Sequence, residues 1–309
     1  MDIFLQQIIN GLVLGSVYAL VALGYTMVYG ILGLINFAHG EVVMVGAMVA
    51  LSTVGLLSGS ELAISGNTVI LLSLGVSILA CCLLAFTIER VAYRPLRNAP
   101  RLAPLITAIG MSILLQNVAM MIWGRQYRTF PDILSVKSYS LMGASITNVQ
   151  VFIVFISLAL MLMLLAIIYL TRMGRAMRAT AENPKVASLM GVNVNSVISL
   201  TFIIGAALAA VAGVLVAANY SVAHYSMGFI LGLKAFTAAV LGGIGNIVGA
   251  MVGGILLGLI ESIGAGYIGD LTGGFLGSHY QDVFAFLVLI GVLVFRPTGI
   301  MGERIADRS

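Results

Sequence analysis

The chain has 309 residues, of which 61% are hydrophobic and 8% are charged, and its net charge at pH 7 is +4. A soluble domain carries about 25% charged and about 45–50% apolar residues, because its surface faces water. The composition therefore argues against a soluble enzyme, a nucleic-acid-binding protein, a disordered chain or a secreted disulfide scaffold, and it predicts an integral membrane protein.

The charged residues are clustered, and long stretches carry none. No Lys, Arg, Asp or Glu lies between Asp2 and Glu41 or between Lys185 and Lys234. A helix that crosses a membrane needs about 20 apolar residues, and these runs are continuous rather than alternating as in a β-barrel. We therefore predict an all-α, polytopic transmembrane bundle of about 8–10 helical legs, some of them interrupted. The apolar segments are residues 5–29, 31–57, 68–88, 102–123, 149–170, 197–218, 232–260 and 281–295.

The first segment is predicted to be an uncleaved span. The first Lys or Arg in the chain is Arg90, so no basic residue precedes the apolar run as it does in a secretory signal peptide.

The second segment contains the polar residues Asn36, His39 and Glu41. A charged Glu41 facing lipid at bilayer depth is costly, so this side chain has to face the protein interior, water or an interface. Two interpretations of the cluster remain open. The three side chains either line a substrate pathway at a broken helix, or satisfy backbone groups that the break frees.

Other residues within the apolar segments are expected to serve packing. Cys81 and Cys82 are adjacent, which favours two small buried residues over a disulfide or a metal pair. Lines of small residues at four-residue spacing predict close helix contacts, either within the chain or at a subunit interface. These lines are Gly205/Ala209/Gly213/Ala217, Gly245/Gly249/Gly253 and Ala250/Gly254/Gly258, and the isolated polar residues are Asn117, Lys234 and Glu261.

Basic residues predict the orientation of the chain. The positive-inside rule places the three main basic stretches in the cytoplasm and residues 124–148 outside, although that loop carries three basic residues of its own. The basic stretches are Arg90/Arg94/Arg97/Arg101, Arg172/Arg175/Arg178/Lys185 and Arg296/Arg304/Arg308.

Residues 182–191 predict one short helix with a signal at each end. Asn183 suits the N-cap, Pro184 suits the first helical position, and Gly191 suits a left-handed residue after the helix. Such a helix either inserts into a groove on a soluble partner or lies on the membrane surface.

Segment 232–260 is predicted to fold as two legs. A single crossing would put the basic tail outside, whereas a break leaves the tail in the cytoplasm and 261–279 outside. The break is expected at Gly242, Gly243, Gly245 and Asn246, because glycine weakens a helix and allows positive φ. With the interruption in 31–57, each half of the chain has one broken segment, which suggests internal repeats around a translocation site.

Several motifs of catalysis and nucleotide binding are absent from the sequence. No Gly-Lys pair occurs, so there is no G-x-x-x-x-G-K-[ST] phosphate loop, and there is no H-E-x-x-H or G-x-S-x-G motif. We therefore predict no catalytic residues, no metal site and no cofactor. The energy for any transport then comes from an ion gradient or from another subunit.

Several stretches, in order along nearly the whole chain, resemble the permeases of branched-chain amino acid ABC importers of the LivH type. They are Gly33-Leu-Ile-Asn-Phe-Ala-His-Gly-Glu41, Glu89-Arg-Val-Ala-Tyr-Arg-Pro-Leu-Arg97 with Ile109-Gly-Met-Ser112, Ala181–Gly191, Ala235–Gly245 and Arg296-Pro-Thr-Gly299. The stretch 181–191 is similar to the Glu-Ala-Ala…Gly loop of importer permeases, with Ala187-Ser188 in place of Ala-Ala.

This resemblance implies one permease domain over 1–309 in the bacterial inner membrane, with a cytoplasmic coupling loop at 172–196. It implies a second permease, two ATP-binding subunits and a periplasmic binding protein as partners. It assigns ATPase coupling to Glu182, Asn183, Pro184, Ala187, Ser188 and Gly191. A permease for another small amide or urea-like solute and an ion-coupled secondary transporter remain as alternatives, while an intramembrane enzyme lacks a nucleophile–base pair.

Overall fold

The computed structural model describes residues 2–58, 65–97, 99–100, 102–131, 137–141, 143–272 and 280–302. Its helices are α1 (Asp2–Leu32), α2 (His39–Ser58), α3 (Gly66–Ile88), α4 (Leu102–Trp123), α5 (Asn148–Leu170), α6 (Arg172–Glu182), α7 (Pro184–Leu189), α8 (Val194–Tyr220), α9 (Met227–Gly242), α10 (Ile247–Leu271) and α11 (Gln281–Phe295). A π-helical turn (Glu89–Tyr93) and a 3-10 turn (Arg94–Leu96) extend α3.

Four short strands form two antiparallel pairs. Strand β1 (Arg128–Thr129) pairs with β4 (Val222–Ala223), with Arg128 opposite Ala223. Strand β2 (Ser138–Leu141) pairs with β3 (Ala144–Thr147), with Ser138 opposite Thr147.

The helices confirm the predicted all-α, polytopic fold. Seven of them, α1–α5, α8 and α10, are long and apolar enough to cross a membrane, and α9 and α11 are shorter apolar helices. Of the residues used to predict orientation, Arg101, Arg304 and Arg308 lie outside the described residues, as do 273–279.

The described residues group into two compact units. One lies within Met1–Thr26, Val136–Met161 and Lys234–Ser309, and the other within Met27–Ser135 and Leu162–Leu233. The extent of the permease domain, 1–309, stays a prediction.

In the second unit, α2, α3 and α8 pack closely on one another. A Cβ at Gly213 would lie 2.1 Å from the Val43 carbonyl oxygen, so the predicted small-residue line on α8 packs within the chain. Cys81 and Cys82 are free thiols, and the Cys81 thiol donates to the Val42 carbonyl at 3.4 Å.

In the first unit, α10 uses two lines of small residues. A Cβ at Gly253 would lie 2.2 Å from the Ala238 carbonyl oxygen of α9. On another side, a Cβ at Gly258 would lie 2.2 Å from the Gly15 nitrogen of α1. Both lines therefore serve packing within the chain, where close backbone approach replaces the missing hydrophobic drive between helices in lipid.

We expect Gly213→Val to prevent the close approach of α2 and α8, because the added carbons have no space and the neighbouring atoms are backbone. Overpacking costs about 1–3 kcal/mol or more, so the unfolding temperature in detergent should fall markedly. Gly75→Val on α3 is the matched control, since nothing lies within 4 Å of a Cβ at Gly75. Equal unfolding temperatures for the two variants would contradict this packing.

The interruption in segment 31–57 is present, and it is a turn between two helices rather than a break within one helix. Helix α1 continues to Leu32, and Gly33 then takes a φ of +63°. Helix α2 starts only at His39, so the interruption separates α1 from α2 near the start of segment 31–57. The polar residues instead form a turn and the first turn of α2, where an acidic Glu41 suits the positive end of the helix dipole.

The break in segment 232–260 is confirmed. Helix α9 ends at Gly242 and α10 begins at Ile247, with a φ of +110° at Gly243 and +96° at Gly245. Helix α10 continues to Leu271, so the first part of the segment 261–279 is helical. Gly266 lies within this helix rather than in a turn, and a Cβ there would lie 2.6 Å from the flexible Gln7 side chain.

Candidate functional site

Helix α7 has the predicted ends. The Asn183 side chain accepts hydrogen bonds from the backbone N–H groups of Lys185 and Val186, both at 3.1 Å. Gly191 has a φ of +85°, and its N–H and that of Val192 bond to the Ser188 and Ala187 carbonyls at 3.0 Å. These two hydrogen bonds satisfy carbonyl groups that the end of a helix leaves free. Both ends of α7 are therefore capped, although the helix has only six residues.

One exposed face of α7 and its C-terminal cap is apolar, while Lys185 and Ser188 are exposed as well. Val186 is 53% exposed, Leu189 86% and Met190 80%. Ala187, predicted to couple to an ATPase, is instead 4% exposed and faces the chain itself. Val186, Leu189 and Met190 are the apolar residues of the short helix predicted at 182–191, and their helical spacing places them on one face.

The structure does not join Asn36 and Glu41 into one group. The Tyr93 hydroxyl donates to Asn36 Oδ1 at 2.6 Å. Glu41 is fully buried, and its Oε1 accepts from Ser112 Oγ at 3.0 Å and from Gln116 Nε2 at 2.7 Å. His39 is also buried. Their assignment to a substrate pathway stays a prediction.

The helix break is closed by the C-terminal segment. The Ile300 and Met301 N–H groups bond to the Leu241 and Gly242 carbonyls at 2.9 Å. The Asn246 amide donates to the Met301 carbonyl and accepts from Gly249 N–H, both at 2.9 Å. Backbone groups freed by the break therefore have partners within the chain, as a break at membrane depth requires.

A buried charged cluster lies in the first unit. Lys234 Nζ lies 2.6 Å from Glu261 Oε1 and 2.7 Å from Asp282 Oδ1, and the Tyr18 hydroxyl donates to Glu261 Oε2 at 3.0 Å. The Lys234 and Glu261 side chains are 10% and 2% exposed. The sequence singled out Lys234 and Glu261 as isolated polar residues but missed their pairing. Opposite charges on two consecutive apolar legs are the signal that indicates it. Asn117, by contrast, is exposed, and its amide donates to the Ile113 carbonyl within α4.

A second buried carboxylate ties the end of α3 to the start of α8. Glu89 is fully buried, pairs with Arg97, and accepts from Ser199 Oγ at 2.7 Å. Arg97 also donates to Asn195 Oδ1 at 2.6 Å. Burial lowers the pKa of the Arg97 guanidinium, while the Glu89 charge opposes that shift. The network links the extension of α3 to the first turns of α8.

Among the residues that the structure describes, no three His, Cys, Asp or Glu side chains converge as metal ligands would.

The chain is similar in sequence to known transport proteins over most of its length. Residues 7–293 match the family model of the branched-chain amino acid transport system / permease component. The permease protein BraD of the high-affinity branched-chain amino acid transport system of Pseudomonas aeruginosa is 49% identical over 97% of this chain and 96% of its own length. The corresponding proteins named LivH are 49% identical in Salmonella typhimurium and 48% in Escherichia coli K12, each over 97% of this chain and 96% of their own length. No solved structure matches the chain significantly. The chain therefore belongs to the family of permease components of branched-chain amino acid transport systems.

Proposed function

We propose that the chain is a permease subunit of an ABC importer for leucine, isoleucine and valine in the bacterial inner membrane. Its partners are a second permease, two ATP-binding subunits and a periplasmic binding protein. The observation that carries the proposal is the identity of 48–49% to relatives named as branched-chain amino acid permeases, over almost the whole of both chains. The absence of a phosphate-binding loop in the sequence agrees with ATP being bound by separate subunits.

Helix α7 supports the assignment of an ATPase partner. Exposed apolar residues on a rigid, capped helix indicate a contact with another protein. Glu182, Asn183, Pro184 and Gly191 then shape the helix ends, Ala187 holds α7 against the chain, and Val186, Leu189 and Met190 meet the ATPase.

The test is uptake into proteoliposomes that contain the chain with the two ATPases, the second permease and the binding protein of its transport system. We expect leucine uptake that requires ATP, persists with an uncoupler, and is inhibited by excess isoleucine and valine. Uptake that survives without ATP but collapses with an uncoupler would support a secondary transporter. Competition by urea or acetamide alone would assign a different substrate.

The proposed orientation predicts which ends of α11 are accessible from each side. In a background with Cys81 and Cys82 replaced by alanine, Tyr280→Cys should react with an impermeant maleimide added to intact spheroplasts. Thr298→Cys should react only after the membrane is opened, because the basic tail is expected in the cytoplasm. Both positions are exposed. The reverse pattern would show that the parity argument for the break is wrong.

A further inference from the structure

A cleft of about 360 Å³ lies where the extension of α3 meets the start of α8. Arg90 and Arg94 line one side, and the side chains of Asn193 and Ser196 belong to the same polar end. Asn195 and Ser199 also line the cleft, and its apolar lining residues are Phe86, Leu200 and Ile203. The cleft therefore has a basic, hydrogen-bonding end and an apolar end.

The basic end carries positive charge without a carboxylate partner. No described Asp or Glu forms an ion pair with Arg90 or Arg94. The neighbouring Glu89 is already paired with Arg97 and Ser199. Two guanidinium groups therefore remain to bind an anion, and a guanidinium suits a phosphate because its fork of N–H groups matches two oxygens.

The apolar end lies within helices predicted to cross the membrane. Phe86 belongs to the candidate span Gly66–Leu96, and Leu200 and Ile203 belong to the span Val194–Tyr220. These three side chains are half-buried. Arg90 also lies over the Phe86 ring, 5.8 Å from its centre, at the junction of the two ends.

We propose that this cleft binds the headgroup of an anionic phospholipid, with the phosphate on Arg90 and Arg94 and an acyl chain along Leu200 and Ile203. A soluble phosphate would use the basic end alone, whereas a lipid uses both ends. The orientation proposed above places the cleft at the cytoplasmic leaflet, where anionic headgroups meet basic pockets between helices. The lipid would brace the segment that connects the coupling loop to α8.

The test is fluorescence quenching by brominated lipids in bilayers containing the full chain. The chain has one tryptophan, so Trp123→Phe with Ile203→Trp leaves a single reporter in the cleft. Brominated phosphatidylglycerol should bind there about 25-fold more strongly than brominated phosphatidylcholine, since each of the two arginines near an anionic headgroup contributes about fivefold. Arg90→Gln with Arg94→Gln should abolish the preference, whereas Arg172→Gln with Arg175→Gln should preserve it.

A reporter outside the cleft provides the reference. Leu79→Trp on α3, at a position 66% exposed, should be quenched equally by both lipids. If Ile203→Trp does not fold, Leu200→Trp reports on the same cleft. Equal quenching by both lipids at the cleft overturns the proposal. Displacement of brominated phosphatidylglycerol by inorganic phosphate would assign the cleft to a soluble anion and also overturn it, while leucine uptake tests the transport function independently.

Discussion

Lys234→Met is expected to lower the free energy of unfolding by about 3–5 kcal/mol, because it leaves the buried Glu261 carboxylate without its cation. Methionine keeps the length of the side chain, so little packing is lost. The loss should appear as a lower unfolding temperature and a lower yield in detergent. Lys185→Met is the matched control, since Lys185 is exposed and its removal leaves no buried charge.

The double variant Lys234→Met with Glu261→Gln should recover much of that loss. It removes both buried charges, and the remaining Asp282 side chain is 41% exposed and reaches water. If the double variant instead loses as much free energy of unfolding as the two single variants together, Lys234 and Glu261 do not interact, because independent sites give additive effects.

The helices and the break before α10 were accessible from the sequence because local physics determines them. Apolar runs of spanning length predict helices, and glycines that can take a positive φ predict the break at Gly243 and Gly245. The ends of α1 and α10 were not accessible in this way. Hydropathy does not distinguish a helix end from a turn. In the sequence Gly266 is typical of a turn, whereas in the structure it lies within α10 beside the Gln7 side chain of α1.

The contacts of the buried charged groups could not be predicted from the sequence, for a different reason. Glu41 meets Gln116, and Glu89 meets Ser199, across 75 and 110 residues of chain. Only the packing of α2, α3, α4 and α8 brings these groups together, and residue types alone do not specify it. In α7, local residues predict the two caps. The burial of Ala187 could not be predicted in this way, because it depends on the part of the chain against which α7 packs.

Leu189→Asp with Met190→Asp is expected to reduce leucine uptake at least about tenfold, while ATP hydrolysis by the isolated ATPase subunits stays unchanged. Both residues are more than three-quarters exposed, so the substitution costs the chain little stability. At an apolar docking contact the same carboxylates would be buried without partners, and leaving a charge unpaired in this way weakens binding by several kcal/mol.

The measurement is ATP-dependent uptake into proteoliposomes, together with copurification of the ATPase subunits. Ala179→Asp adds a charge at an exposed position of α6, outside α7 and its caps, and should keep uptake near that of the unaltered chain. Unaltered uptake by the Leu189/Met190 variant would show that α7 lies on the membrane surface without an ATPase partner. If the Ala179→Asp variant loses as much uptake as the Leu189/Met190 variant, an added charge anywhere in the loop impairs transport. The apolar face of α7 would then have no separate role.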